Sequence, residues 1–156
     1  MRKLAPCRFV LCAAPGYLAD HGRPSRLDGL AGHVCLRYSY QSTQDSWRLA
    51  GPDGERTVRV AGPFRANNGD ALKTAAVSGL GIMYAPTFLV AEDVRAGRLE
   101  IVLEQYDWKS GVYAIYPETR LLSAKARAFV DFLADRFGPN PPWEAAPDRH
   151  SRDSSV

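Results

Sequence analysis

Short apolar runs alternate along this chain with segments of helical period, and that alternation sets the fold class before any motif is read. The runs at residues 8–12, 33–38, 81–85, 99–103 and 112–116 are too short for buried helices, and Pro86 and Pro117 stop two of them. Between them, residues 15–20, 70–78 and 87–96 read as helices that run into Gly22, Gly79 and Gly97. Pro15 suits the first turn of the first helix. Leu72, Ala75 and Ala76 form the inner stripe of the second, whose small alanines permit close approach to a sheet. Strands alternating with helices give an α/β chain with a mixed sheet flanked by helices. A hairpin turning at Asp53-Gly54 supplies its non-parallel part.

Local signals refine the reading. Ser25 is placed to cap a short helix bearing Leu27 and Leu30, with Asp28 completing a capping-box-like pair. The last helix is the clearest: Ser123 caps it, Phe129, Val130, Leu133 and Phe137 form an apolar stripe, and Gly138-Pro139 ends it. Residues 138–156 are rich in proline with little to bury except Trp143, so a disordered tail is expected there.

With 156 residues the chain has room for one core-bearing domain. Its net charge of +3 is spread from Arg2 to Arg152 with acidic residues interspersed, not gathered on one face as a nucleic-acid surface requires. Cys7, Cys12 and Cys35 are too few and too irregular for a secreted disulfide framework and read as buried, reduced thiols. Met1-Arg2-Lys3 ahead of an apolar stretch resembles a leader, but Arg8 interrupts that stretch and Leu11 stands before Cys12 where a lipoprotein site needs a small residue. No stretch approaches membrane-spanning length. The expected location is the cytoplasm.

A search for catalytic chemistry finds little. Asp20-His21 lie near a helix end, where a histidine favours the dipole. His33 and Cys35 have no second pair of ligands at metal-site spacing. No serine stands in a Gly-x-Ser-x-Gly elbow, and no glycine-rich loop precedes a lysine. Gly79-Leu80-Gly81 follows a helix instead of opening one, which makes it a cap and not a dinucleotide fingerprint. Neither an enzyme nor a metal or cofactor is expected.

Two segments look site-like. Tyr38-Ser39-Tyr40-Gln41-Ser42-Thr43 puts two aromatics and four hydrogen-bonding side chains at the carboxyl end of a strand, where open α/β sheets bind ligands. A solvated polar loop is the alternative. Asn67-Asn68 precede a helix whose first turn suits an anion, although Asp70 brings a competing charge and plain capping explains the asparagines equally well.

The order of motifs resembles the effector-binding domain of LysR-type transcriptional regulators. The resemblance is carried by the segment from Arg8 through Pro15-Gly16-Tyr17-Leu18, His21-Gly22-Arg23-Pro24 and His33-Val34-Cys35-Leu36. It continues through Trp47, residues 67–71, Gly79-Leu80-Gly81-Ile82 with Pro86, Gly97-Arg98-Leu99, Tyr113-Ala114-Ile115-Tyr116-Pro117 and the helix after Ser123, covering residues 5–137.

This resemblance implies a type 2 periplasmic-binding-protein-like fold. Two α/β subdomains would stand around an effector cleft, crossed by strands near residues 8–12 and 112–116. Residues 14–108 would be the second subdomain, complete, and 109–137 a return strand and C-terminal helix belonging to part of the first. The family's winged helix-turn-helix has no counterpart among the matched motifs, so no direct DNA contact is expected from this chain. The stripe on the last helix would lack its usual partner, and self-association is expected. The implied ligand is a small organic effector of anionic character, met by Ser39, Tyr40, Gln41, Ser42, Thr43, Asn67 and Asn68. A transporter's solute-binding protein shares the fold but needs export; a small α/β enzyme needs a titratable pair in the cleft. These are the rival readings.

Overall fold

The computed structural model describes residues 1–40, 45–117 and 123–145. Its spine is β1 (Arg2–Ala13), longer than the expected run because Leu4, Ala5 and Cys7 extend the buried face toward the amino terminus. Then come α1 (Pro15–His21), a 3-10 turn (Leu27–Gly32), β2 (Cys35–Tyr38), the hairpin β3 (Ser46–Gly51) and β4 (Gly54–Arg59), and β5 (Arg65–Ala66). The remainder is α2 (Gly69–Val77), β6 (Ile82–Pro86), α3 (Thr87–Arg95), β7 (Glu100–Val102), β8 (Trp108–Ala114), α4 (Ala124–Phe137) and a second 3-10 turn (Pro142–Glu144).

The main sheet runs β5-β2-β6-β1-β7, with β8 also paired to β1. β2 is parallel to β5 and β6, whereas β1 is antiparallel to β6, β7 and β8. Phe9 is the branch point: it faces Pro86 of β6 and Trp108 of β8. From there β1 and β8 leave the sheet as a two-stranded ribbon reaching Arg2 and Ala114, with a register irregularity between Lys3 and Ala5. The separate hairpin turns at Pro52-Asp53, and Gly54 has φ 91°, a left-handed conformation that favours glycine.

Because strand side chains alternate between faces, β1 serves two cores. Leu11 and Ala13 pack with Tyr17, Leu30, Trp47 and Leu49 on one face. Val10 and Cys12 pack with Leu72, Ala76, Met83 and Val90 on the other, where α2 and α3 lie. Cys7, Cys12 and Cys35 are buried and free. Burial pushes the Cys12 thiol up to about 12 and Cys35 to about 11, so both stay protonated.

Three expectations need correction. The Ser25 cap does not form: Leu27–Gly32 is a 3-10 turn with Arg26 at its N-cap and no side-chain cap bond. The tail is ordered over residues 138–145, since Pro141 is buried, Trp143 Nε1 donates to the Pro6 carbonyl at 3.0 Å and Glu144 binds Arg8. Residues 146–156 lie outside the described residues. The outer strands of the reading also shift: the run at 112–116 becomes Trp108–Ala114, ending before Ile115. Helix α4 forms as expected, with Ser123 Oγ accepting from the Ala126 N–H at 3.2 Å. None of its residues is buried, and Phe129 and Phe132 are 61% and 60% exposed. Among the described residues no helix is long and apolar enough to cross a membrane.

Candidate functional site

A cavity of about 370 Å³ opens at the carboxyl ends of β2 and β6, where a mixed α/β sheet presents the first turns of its following helices. Its floor is made by Phe9 of β1 with Met83, Tyr84 and Ala85 of β6. Gly69, Asp70 and Leu72 of α2 form one wall; Pro86, Phe88 and Leu89, at the start of α3, form the other. Tyr38 closes the rim from β2.

The aromatic groups are held by contacts behind the surface. Tyr84 packs against Phe9 with ring centroids 5.4 Å apart and against Trp47 at 5.6 Å. Its hydroxyl donates to the Arg48 carbonyl at 2.6 Å, and burial, then Asp107, push its pKa well above the ordinary tyrosine value. It remains a neutral wall. Phe88, 54% exposed, turns its other side to Trp143 at 6.4 Å, so one cavity residue touches the C-terminal strap.

Of the two segments singled out from sequence, Tyr38 and Asp70 line this cavity, and Ser39, Tyr40, Asn67 and Asn68 do not. Ser39 extends β2 through its N–H to the Ala66 carbonyl at 2.8 Å. Tyr40 is 73% exposed and meets the Tyr38 ring edge-on at 6.0 Å, behind the rim. Gln41, Ser42 and Thr43 lie outside the described residues. Asn68 Oδ1 accepts from the Asp70 and Ala71 N–H groups at 2.8 and 3.3 Å, which occupies the donors that an anion at α2 would need. Asn67 is exposed beside it.

Sequence reasoning missed Phe9, Met83, Tyr84 and Phe88, which read as ordinary core. One signal was available for Phe88: a large apolar residue placed two after Pro86, off the buried face marked by Thr87 and Val90.

Tyr17, His21, His33 and Cys35 have structural partners. Tyr17 hydroxyl meets His33 Nδ1 at 3.0 Å and accepts from the Val34 N–H at 3.0 Å, while His21 stacks on the Tyr17 ring at 4.3 Å. His33 and Cys35 do not converge: the thiol donates instead to the Leu30 carbonyl at 3.8 Å. Among the described residues no group of three or more metal-ligating side chains comes together.

The sequence profile of the LysR substrate binding domain matches residues 1–138. The HTH-type transcriptional regulator CrgA of Neisseria meningitidis serogroup B is 33% identical over 141 residues, 89% of this chain and 47% of that protein. DmlR of Escherichia coli K12, also an HTH-type transcriptional regulator, is 32% identical over 142 residues, 90% of this chain and 46% of that protein. Among solved structures, the regulatory domain of AphB from Vibrio vulnificus superposes with a TM-score of 0.72 at 26% identity, over 86% of this chain and 67% of that one. The CrgA regulatory domain gives a TM-score of 0.71 at 30% identity, over 88% and 68%. The chain spans about half the length of the curated relatives it matches.

Proposed function

Since the chain belongs to the LysR substrate-binding domain family, whose members are regulators of transcription, we propose that it senses a small-molecule effector through the cavity beneath Tyr38. The mixed sheet flanked by helices is the type 2 periplasmic-binding-protein-like architecture of the regulatory domains it matches. The observation that carries the proposal is the position of the cavity. It lies at the strand ends where this fold binds ligands, and its floor includes Phe9, the branch point of the β1–β8 ribbon.

In this reading residues 14–108 form the second subdomain, and residues 109–137 supply the return strand and C-terminal helix. Gln41, Ser42 and Thr43 continue in sequence from Ser39 and Tyr40, which with Asn67 and Asn68 adjoin Tyr38 and Gly69 of the cavity lining. We assign them to the outer contacts with the effector and the cavity wall to the inner ones. The anionic effector suggested by the start of α2 has weaker support than a small organic effector in general, because Asn68 already occupies the first N–H groups. The proposed role is binding without catalysis, in the cytoplasm, with DNA contacts made elsewhere in a complete regulator. Effector binding would act through the β1–β8 ribbon, changing the relation between the two subdomains.

A thermal-shift screen of small metabolites, followed by mass spectrometry of each hit, tests this reading. A hit returned unconverted, whose shift is reduced in Tyr38→Ala, supports a sensor; turnover of the hit, or a shift indifferent to Tyr38→Ala, overturns it.

A further inference from the structure

We propose that the effector is an uncharged aromatic molecule of one or two rings, an inference that rests on the cavity being the effector site. Phe9, Tyr84 and Phe88 supply rings from two strands and a helix, and Met83 adds a thioether, which contacts ring edges favourably. The Tyr84 hydroxyl is committed to the Arg48 carbonyl outside the cavity, so that residue offers its ring and not its polar end.

Charge decides between ligand classes. Among the described residues the lining contains no arginine, lysine or histidine, and Asp70 is its one charged residue. An anion buried here would lose water, gain no cation and face a carboxylate. A cation fares little better, because the exposed Asp70 carboxylate already has the Lys73 ammonium 3.8 Å away. That ammonium also lies 3.6 Å from Asp93. A neutral ring avoids both penalties. The volume of about 370 Å³ lies near the low end of small-molecule clefts, which suits a small ring system and not a lipid chain.

The chain holds two methionines, Met1 and Met83, so carbon-13 labelling of methionine methyls gives two signals, one of them on the cavity floor. The protein is titrated with benzyl alcohol, benzoate, benzylamine and cyclohexylmethanol. Benzyl alcohol is expected to shift the Met83 methyl by ring current and to spare Met1. Benzoate and benzylamine are expected to bind about tenfold more weakly, the scale of one poorly compensated charge. Cyclohexylmethanol should bind more weakly without a ring-current shift. Asp70→Asn should narrow the gap between alcohol and benzoate, and Phe88→Ala, at an exposed position, should weaken the alcohol. Benzoate or benzylamine binding as tightly as the alcohol at Met83 overturns the ligand class and leaves the site standing. Failure of every probe to move Met83 overturns both.

Discussion

Glu144 grips Arg8 with both carboxylate oxygens: Oε1 accepts from the Arg8 backbone N–H at 2.9 Å, and Oε2 from its Nε at 2.7 Å. The Thr87 hydroxyl adds a bond to Oε1 at 2.5 Å, so a residue after α4 joins β1 to the start of α3. No described strand continues the β6 side of β1 from Arg8 toward Arg2; Glu144 and Trp143 meet the Arg8 N–H and Pro6 carbonyl there. Glu144→Ala should therefore cost about 1–3 kcal/mol through groups left without partners. Urea denaturation checks this, and an unchanged midpoint would show that the strap contributes nothing.

Stability should fall on acidification in two windows. Burial lowers the His33 pKa from the ordinary 6.5, and the nearby His21 lowers it further. The unfolded chain therefore takes that proton first, and stability declines as pH drops from 6.5 toward the folded value. Burial alone would raise the Glu144 carboxyl, but hydrogen bonds from Thr87 and Arg8 outweigh it and hold the group below its ordinary 4.5. Its contribution is full above that value and lost as pH falls through the folded one. Asp45, held low by Arg37, shares the lower window. Urea midpoints measured across the acid range should lose the upper step in His33→Gln and part of the lower step in Glu144→Gln.

Two glycine substitutions should behave oppositely. A Cβ on Gly62 would lie 2.2 Å from the Cys35 carbonyl oxygen, which is backbone and cannot rotate away. Gly62→Ala must push the chain off β2 and should cost more than about 2 kcal/mol. Gly16, in the first turn of α1, has nothing within 4 Å of its would-be Cβ. Gly16→Ala should be neutral or stabilising by up to about 1 kcal/mol. Thermal melts of the two variants give the comparison directly.

The exposed side of α4 should drive association. Phe129 and Phe132 are more than half exposed, and Ile115 nearby in sequence after β8 is 83% exposed. Size-exclusion chromatography with light scattering should show mass rising with protein concentration, and a Phe129→Ser, Phe132→Ser double variant should suppress the rise. A wild-type monomer at every concentration would refute this.

Much of the fold was legible because it depends on short-range chemistry. The Ser123 and Asn68 caps, the hairpin turn, which falls at Pro52-Asp53 one residue before the expected Asp53-Gly54, and the Leu72, Ala75, Ala76 stripe each act within a few residues of their partners. The ordered strap was not legible. Proline content suggested disorder, whereas Trp143 and Glu144 find their partners at Pro6 and Arg8, 137 and 136 residues away in sequence. The Ser25 signal failed because the 3-10 turn begins at Leu27 with Arg26 at its N-cap, which leaves Ser25 one residue outside the capping position. The site was half legible for the same reason. Polar residues around Ser39 and Asn68 advertise themselves, but a cavity lined by Phe9, Met83 and Tyr84 is assembled from residues that look like core until the sheet brings them together.

Phe9 is claimed from three directions, by Pro86 across one edge, by Trp108 across the other and by the cavity below. A position bound in that way has little freedom to drift during evolution. Substitutions that retune the cavity for a new ligand through Phe9 would also disturb the pairing of both strands, so diversification of specificity should fall on residues with a single allegiance, such as Phe88 and Leu89, while Phe9 behaves as a pleiotropic site.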